Sequence, residues 1–300
     1  MGRYTATPKV GAFGVPSFAV HVEADDFLAI VRDPAGLAEM QALLDKHMVL
    51  HVSPQKEMDH ETVGRLAVYL GMPADAAPRQ PSARPGDGAP APPPRKPMSA
   101  DYPFIGDFSS PVREPTEGER IPSYIESLHY DGISSYSVQA TFNTPLTTPN
   151  LWSDMRAAYQ LLPADLKKIV DERHALHAFV PPPGTALKDF PPIERARADR
   201  RPLRIRHPRT GEPVLYLPKN PASLIEGLPD KEGIEILHDL WARVNTSPAR
   251  YTARAAHNQL FVWDGLGATH TNPAYPRDKP RTLWFFIIPG KSAEVEAYTA

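Results

Sequence analysis

The residues best equipped for chemistry sit in one short stretch, Ser127-Leu128-His129-Tyr130-Asp131-Gly132. In an extended strand, side chains two positions apart project from the same face. His129 and Asp131 can therefore offer an imidazole nitrogen and a carboxylate oxygen to one metal ion. Two ligands leave such a site incomplete, so a third is expected from far along the chain. The best candidate is His270, which closes the run 261–270. Two histidines and one carboxylate on one face of an octahedron are the ligand set of non-haem Fe(II) oxygenases, with the other positions open. Arg281 follows eleven residues after His270. A guanidinium there suits a fixed, two-pronged grip on a co-substrate carboxylate.

Composition narrows the chemistry further. Three hundred residues with 41% hydrophobic content can bury one large core or two small ones. There is no cysteine, which removes disulfides and thiolate metal sites, while eleven histidines are ample for metal binding. A net charge of -2 gives no long-range pull toward nucleic acid or anionic membrane. The N-terminus lacks the apolar stretch of a secretory leader, and the longest apolar run, 283–289, is far too short to span a bilayer. A cytoplasmic protein with no membrane or nucleic-acid partner is the expectation.

The elements that would position these residues can be read in order. Strand signals surround Phe18 to Val22, where His21 and Glu23 make a second His-x-acid pair. A helix is predicted over 34–44, with Leu37, Met40, Leu43 and Leu44 on one stripe, then a strand over 48–52. A capped helix is predicted over 59–71, with Asp59 at its N-cap and Gly71 as its stop. His51 and His60 read as structural or solvated rather than as ligands. From Pro73 to Pro97, nine of 25 residues are proline and alanine is the only apolar type, which predicts a disordered or polyproline-like insert. Within it, 77–95 reads as a tolerated surface loop, whereas Tyr102 to Phe108 regains aromatics and reads as a lid or pocket wall. Residues 136–142 alternate as a strand whose polar face is Ser137, Gln139 and Thr141. Those three either line a wet interior or face solvent while Val138, Ala140 and Phe142 make the core.

Helices are predicted over 154–162 and 164–176, followed by a proline- and arginine-rich crossing over 181–203. Seven arginines fall between 195 and 209. Such a run is most simply a solvated face, with guarding the mouth for an anionic substrate as the alternative; a nucleic-acid groove would also need stacking aromatics. A further amphipathic helix is predicted over 228–244, with Ile234, Leu237, Leu240 and Trp241 on its stripe and His238 half-buried beside it. Strands over 260–263 and 282–288 then carry His270 and Arg281 on or beside them.

The order His-x-Asp, distant His, then Arg resembles the taurine dioxygenase/TfdA-like family of Fe(II)- and 2-oxoglutarate-dependent dioxygenases. The likeness extends through Leu151-Trp152-Ser153-Asp154-Met155, the segment Arg206 to Tyr216 and Leu260-Phe261-Val262-Trp263-Asp264, covering roughly 17–290. It implies a mixed α/β fold with a mainly β core, a double-stranded β-helix (jelly roll) flanked by helices. Residues 1–300 would form one catalytic domain, with the metal-binding core about 120–290. The family pattern places the metal pair after the proline-rich segment, so His21 and Glu23 are set aside.

What the resemblance implies for function is specific. His129, Asp131 and His270 would hold Fe(II), with 2-oxoglutarate as co-substrate and O2 as oxidant. Arg281 would take the far carboxylate of 2-oxoglutarate. The family's threonine partner for that carboxylate falls at Asn150, with Thr148 close by. Asp131 favours hydroxylation or desaturation over halogenation, and Tyr130 points to the other strand face as packing. Phe285 stands where taurine-acting members carry a second arginine, and Ile125 stands where they carry an asparagine. A more apolar small-molecule substrate is expected, or one whose anion an arginine of the 195–209 run would hold. The pocket is expected to draw on Ile125, Phe104, Gln139, Phe179 and Phe285. Hydroxylation is the simplest outcome; desaturation, cyclisation or oxidative decarboxylation on the same iron centre is the runner-up. A metal-binding jelly-roll protein without turnover is the rival from another class, and the presence of Arg281 speaks against it. A homo-oligomer is left open.

Overall fold

The structure, a computed structural model, describes residues 3–11, 15, 17–78, 96–106, 134–143, 149–177, 199–218, 223–271 and 282–289. The chain opens with β1 (Tyr4–Val10), antiparallel to β2 (Ala19–Ala24). Helices α1 (Phe27–Arg32) and α2 (Pro34–His47) lead to β3 (Val49–Pro54), which runs parallel to β2. Asp33 caps α2 by accepting from the Ala35 amide, and Pro34, which lacks the amide proton a first turn cannot use, follows it. Asp59 caps α3 (His60–Tyr69), accepting from the Thr62 amide at 2.8 Å. Gly71, at φ 109°, lets the chain leave that helix by a path closed to other residues.

After β4 (Ser134–Asn143) come β5 (Asn150–Asp154), α4 (Met155–Gln160), α5 (Ala164–Glu172) and β6 (His174–His177). Short strands β7 (Asp199–Pro202), β8 (Arg204–Arg206), β9 (Pro213–Leu215) and β10 (Leu224–Ile225) precede the long helix α6 (Asp230–Thr246). The chain then gives β11 (Arg250–Ala253), β12 (Gln259–Asp264), β13 (Ala268–Thr271) and β14 (Thr282–Pro289).

The fold is mixed α/β with a mainly β core. Its largest sheet has the order β1-β2-β3-β12-β4-β14, and a second has the order β11-β5-β13. Strand alternation gives the large sheet two apolar faces. One face presents Val20, Val22, Leu50, Val52, Leu260, Val262, Val138 and Phe286 to the buried stripes of α1, α2 and α3. The other presents Val49, Phe261 and Trp263 to Trp152, Tyr251, Ala253 and Ala268 of the second sheet. Burying each of these large side chains is worth about 1.5–3 kcal/mol, so both faces favour the stack. A third cluster joins α4, α5 and α6 around Leu203, Val214, Leu237 and Leu240.

Two predicted helices are shorter than their patterns. Asp154 ends β5 and caps α4, accepting from the Arg156 amide at 2.9 Å, rather than lying in the helix. Helix α5 stops at Glu172, and His174–His177 is a strand paired with both β7 and β10. Cross-strand partners far away in sequence override the local helical pattern there. Of the proline-rich stretch, 79–95 lie outside the described residues. Among the described residues, no helix is long and apolar enough to cross a membrane.

Candidate functional site

The space between the two sheets is built by two facing rows. On the large sheet, His21 pairs with His51, His51 with Phe261, Phe261 with Gln139, and Gln139 with Phe285. On the second sheet, Tyr251 pairs with Trp152 and Trp152 with His270. Cross-strand partners share a face, so each row is one line of side chains. The lines meet: the Tyr251 hydroxyl lies 2.7 Å from His51 Nδ1, and the Phe261 and Trp152 rings stack with centres 5.1 Å apart. His270 packs at a tilt against two indoles, Trp263 at 4.4 Å and Trp152 at 4.9 Å between ring centres. Phe285 lies 6.2 Å from Trp263 and so on the same side.

Polar residues thread this layer. His21 Nε2 is 2.8 Å from Ser53 Oγ, and Gln259 donates to the same oxygen at 3.1 Å. Thr141 donates to the Ala256 carbonyl at 2.8 Å. Among the described residues, four buried atoms of the layer have no hydrogen-bond partner: His51 Nε2, Gln139 Oε1, Trp152 Nε1 and His270 Nε2. Folded proteins satisfy nearly all such atoms, so four in one layer call for a ligand or water there, although His60 Nε2 and Trp284 Nε1, stacked on the opposite face, are also unpartnered. His270 is only 2% exposed, and burial pushes its pKa down to about 3. It is therefore a neutral imidazole with an unpartnered Nε2, the form in which histidine binds a metal. Burial, with His21 beside it, also pushes His51 down to about 3, and burial raises Tyr251 to about 12. Tyr251 thus keeps its proton and can donate it to His51 Nδ1.

The turn that delivers His270 is tightly specified. Asp264 Oδ1 accepts from the Leu266 amide at 2.8 Å and the Gly267 amide at 2.7 Å. On its other oxygen, Asp264 accepts from His207 Nε2 at 3.1 Å and from Arg209. A Cβ at Gly267 would lie 2.2 Å from Met48 Sδ, which is why the turn uses glycine. Beside it, Asp154 is the register partner of Ala268 and binds the buried Arg156 at 3.0 Å.

Of the residues singled out in the sequence, His270, Gln139, Asn150 and Phe285 lie on this inter-sheet layer. Asn150 is buried and shares the face of Trp152, opposite Ala253. Ser137, Gln139 and Thr141 are all buried, so the polar face of β4 is turned inward, not to solvent. Phe104 requires a correction. It packs 5.2 Å from Phe286 in the cluster under the helices, on the opposite face of the large sheet from His270. His129, Asp131, Thr148, Arg281, Ile125 and Phe179 lie outside the described residues. Among the described residues, no three histidine, aspartate or glutamate side chains converge. Within the arginine run, Arg200 and Arg204 form exposed pairs with Glu226 and Asp171. From sequence His51 reads as structural or solvated; only the strand order brings it into this layer.

Residues 147–285 match the profile of the taurine catabolism dioxygenase TauD, TfdA family. That stretch holds Asn150, His270, Arg281 and Phe285, while His129 and Asp131 precede it. Pentalenolactone F synthase of Streptomyces avermitilis is 28% identical over 149 residues, 44% of this chain and 48% of its own length. (S)-phenoxypropionate/alpha-ketoglutarate-dioxygenase of Delftia acidovorans is 26% identical over 149 residues, 47% of this chain and 50% of its own. The chain thus spans about half the length of the curated relatives it matches. Among solved structures, a taurine dioxygenase from Burkholderia xenovorans superposes with TM-score 0.67 at 19% identity, covering 97% of this chain and 90% of that one. AAD-2 in complex with Mn(II) and N-oxalylglycine superposes with TM-score 0.68 at 17% identity, covering 96% and 98%. At these identities the structural likeness is one of fold.

Proposed function

We propose that the chain, whose residues 147–285 match the TauD, TfdA family profile, is an Fe(II)- and 2-oxoglutarate-dependent oxygenase acting on a small molecule. The observation that carries the reading is the buried, neutral His270 with its unpartnered Nε2 in a layer of other unpartnered polar atoms. The two stacked sheets are then the halves of a double-stranded β-helix, in a single catalytic domain 1–300. Fe(II) held by His129, Asp131 and His270 would supply oxygen activation coupled to 2-oxoglutarate decarboxylation and C–H hydroxylation.

The chain's own residues do the positioning. His270 offers its lone pair without first losing a proton, and Trp152 and Trp263 fix its ring. Arg281 takes the far carboxylate of 2-oxoglutarate, where a charge-assisted fork both binds and orients. Asn150, with Thr148, donates to the same group. Gln139 and Phe285 line the inter-sheet layer, and Ile125 and Phe179 would complete the pocket, which favours a largely apolar molecule with one hydrogen-bonding group. The aromatic walls exclude water, so a held C–H bond meets the oxidant in one orientation.

The test is an anaerobic visible spectrum of the protein with Fe(II), before and after 2-oxoglutarate. A weak charge-transfer band appearing on addition is expected, followed by succinate release with a turned-over substrate. Iron binding without the band would leave the metal site but remove the co-substrate pocket, and the binding-protein reading would replace this one.

A further inference from the structure

Arg209 departs from the surface pattern of its run. Its Nε donates to Asp45 Oδ1 on α2 at 2.7 Å, and its Nη2 donates to the fully buried Asp264. Its guanidinium carbon lies 4.5 Å from the centre of the Tyr136 ring. Tyr136 and Asp264 are themselves register partners, at one end of the β4–β12 ladder. Tyr136 comes five residues after Asp131, and Asp264 six residues before His270. One side chain therefore grips the paired ends of β4 and β12, and β12 leads directly into the turn that carries His270.

The grip is braced on every side. Gln41 donates to Asp45 at 2.8 Å and to the Tyr136 hydroxyl at 2.7 Å, tying α2 to β4. The backbone amides of Arg209 and Thr210 donate to His207 Nδ1, at 3.4 and 3.3 Å, while His207 Nε2 donates to Asp264. The Asp264 amide donates to the Met48 carbonyl at 2.8 Å, just beyond α2. Asp264 passes the constraint on through Oδ1, which fixes the turn into β13. A surface arginine pair contributes little, but a planar fork that joins two carboxylates over a ring holds three elements in one geometry.

We propose that Arg209 is a positioning residue for His270, locking the β12–β13 turn that carries it against β4. The inference rests on the facial-triad reading above. Residues that orient a ligand from behind typically change metal affinity by about 10–100-fold when lost.

The experiment measures Mn(II) affinity of the full chain by calorimetry, well below every variant's melting temperature. Arg209→Gln should weaken binding about tenfold or more, and Arg209→Lys should recover little, since an ammonium cannot form the fork. Val170→Ala, which loosens the separate cluster around α5, serves as a destabilised control and should bind as the wild type does. Asp45→Ala cuts the same grip from its exposed side and should weaken binding less, in the same direction; it decides the question if Arg209→Gln does not fold. Wild-type affinity in the Arg209 and Asp45 variants, or an equal loss in Val170→Ala, overturns the proposal while leaving the triad intact. A wild type that binds no Mn(II) removes the triad and the proposal together.

Discussion

Replacing His270 by leucine should make the metal-free protein more stable, not less. The imidazole is 2% exposed and its Nε2 has no partner within the fold. A buried polar atom left unsatisfied costs about 1–3 kcal/mol. Leucine carries no polar atom and is close in volume. Its different shape against Trp152 and Trp263 should cost under about 1.5 kcal/mol, as volume-conserving core changes usually do. The balance is a gain of about 1 kcal/mol, or about 2 °C in melting temperature for a chain of this size. Urea denaturation in EDTA measures it directly. Adding Mn(II) at about 100 times its dissociation constant should then stabilise the wild type by about 2.7 kcal/mol and leave the variant unmoved, inverting the order. If His270→Leu instead loses more than about 2 kcal/mol without metal, the loss expected of a structural core side chain, the imidazole is holding the fold and the ligand assignment is wrong.

Two further outcomes follow from buried charge. His51 and His207 are both held down to about 3, chiefly by burial, whereas each titrates near 6.5 when unfolded. Below about 6.5 the unfolded chain gains protons that the native state refuses, so stability present above that pH is lost as pH falls toward 3. The loss is up to about 1.4 kcal/mol per pH unit for each histidine. His207→Gln should flatten the slope between pH 6.5 and 4; an unchanged slope would mean His207 is not buried neutral. The second outcome concerns Asp154 and Arg156, which bond at 3.0 Å and are each about 1% exposed. Arg156→Met should cost about 3–5 kcal/mol, because it strands the buried Asp154 carboxylate, whereas Asp154→Asn should cost less, since Arg156 keeps Glu212 at 3.0 Å. The double variant should cost clearly less than the sum, and simple additivity in a denaturation cycle would rule out the coupling.

Much of the scaffold was legible because its signals are local. The Asp59 cap, the Leu37–Met40–Leu44 stripe and the Leu237–Leu240–Trp241 stripe mark helices by contacts within a turn or two. The end of α5 was not legible, because what stops it is pairing with β7 and β10, and nothing within His174–His177 announces those partners. His270 could be singled out by its spacing from other candidate ligands, but the layer around it could not.

Parity explains why. Residues 284–286 read as one aromatic block, yet Phe286 packs under the helices with Phe104 while Phe285 pairs with Gln139 on the inner face. The same parity separates the two histidines read alike from sequence. His60 stacks on Trp284 at 4.3 Å, whereas His51 stacks on Phe261 at 4.4 Å and faces Tyr251. A one-residue change of register would exchange inside for outside along the whole strand, and only long-range strand order settles it. Gln139, His51 and His270 are buried polar side chains in rows whose other members, His21 apart, are aromatic. A fold satisfied by packing alone would have used apolar residues at these positions, as it did at Phe261. That the three exceptions share one layer, each with an unpartnered atom, argues that the layer is selected for what it binds rather than for how it packs.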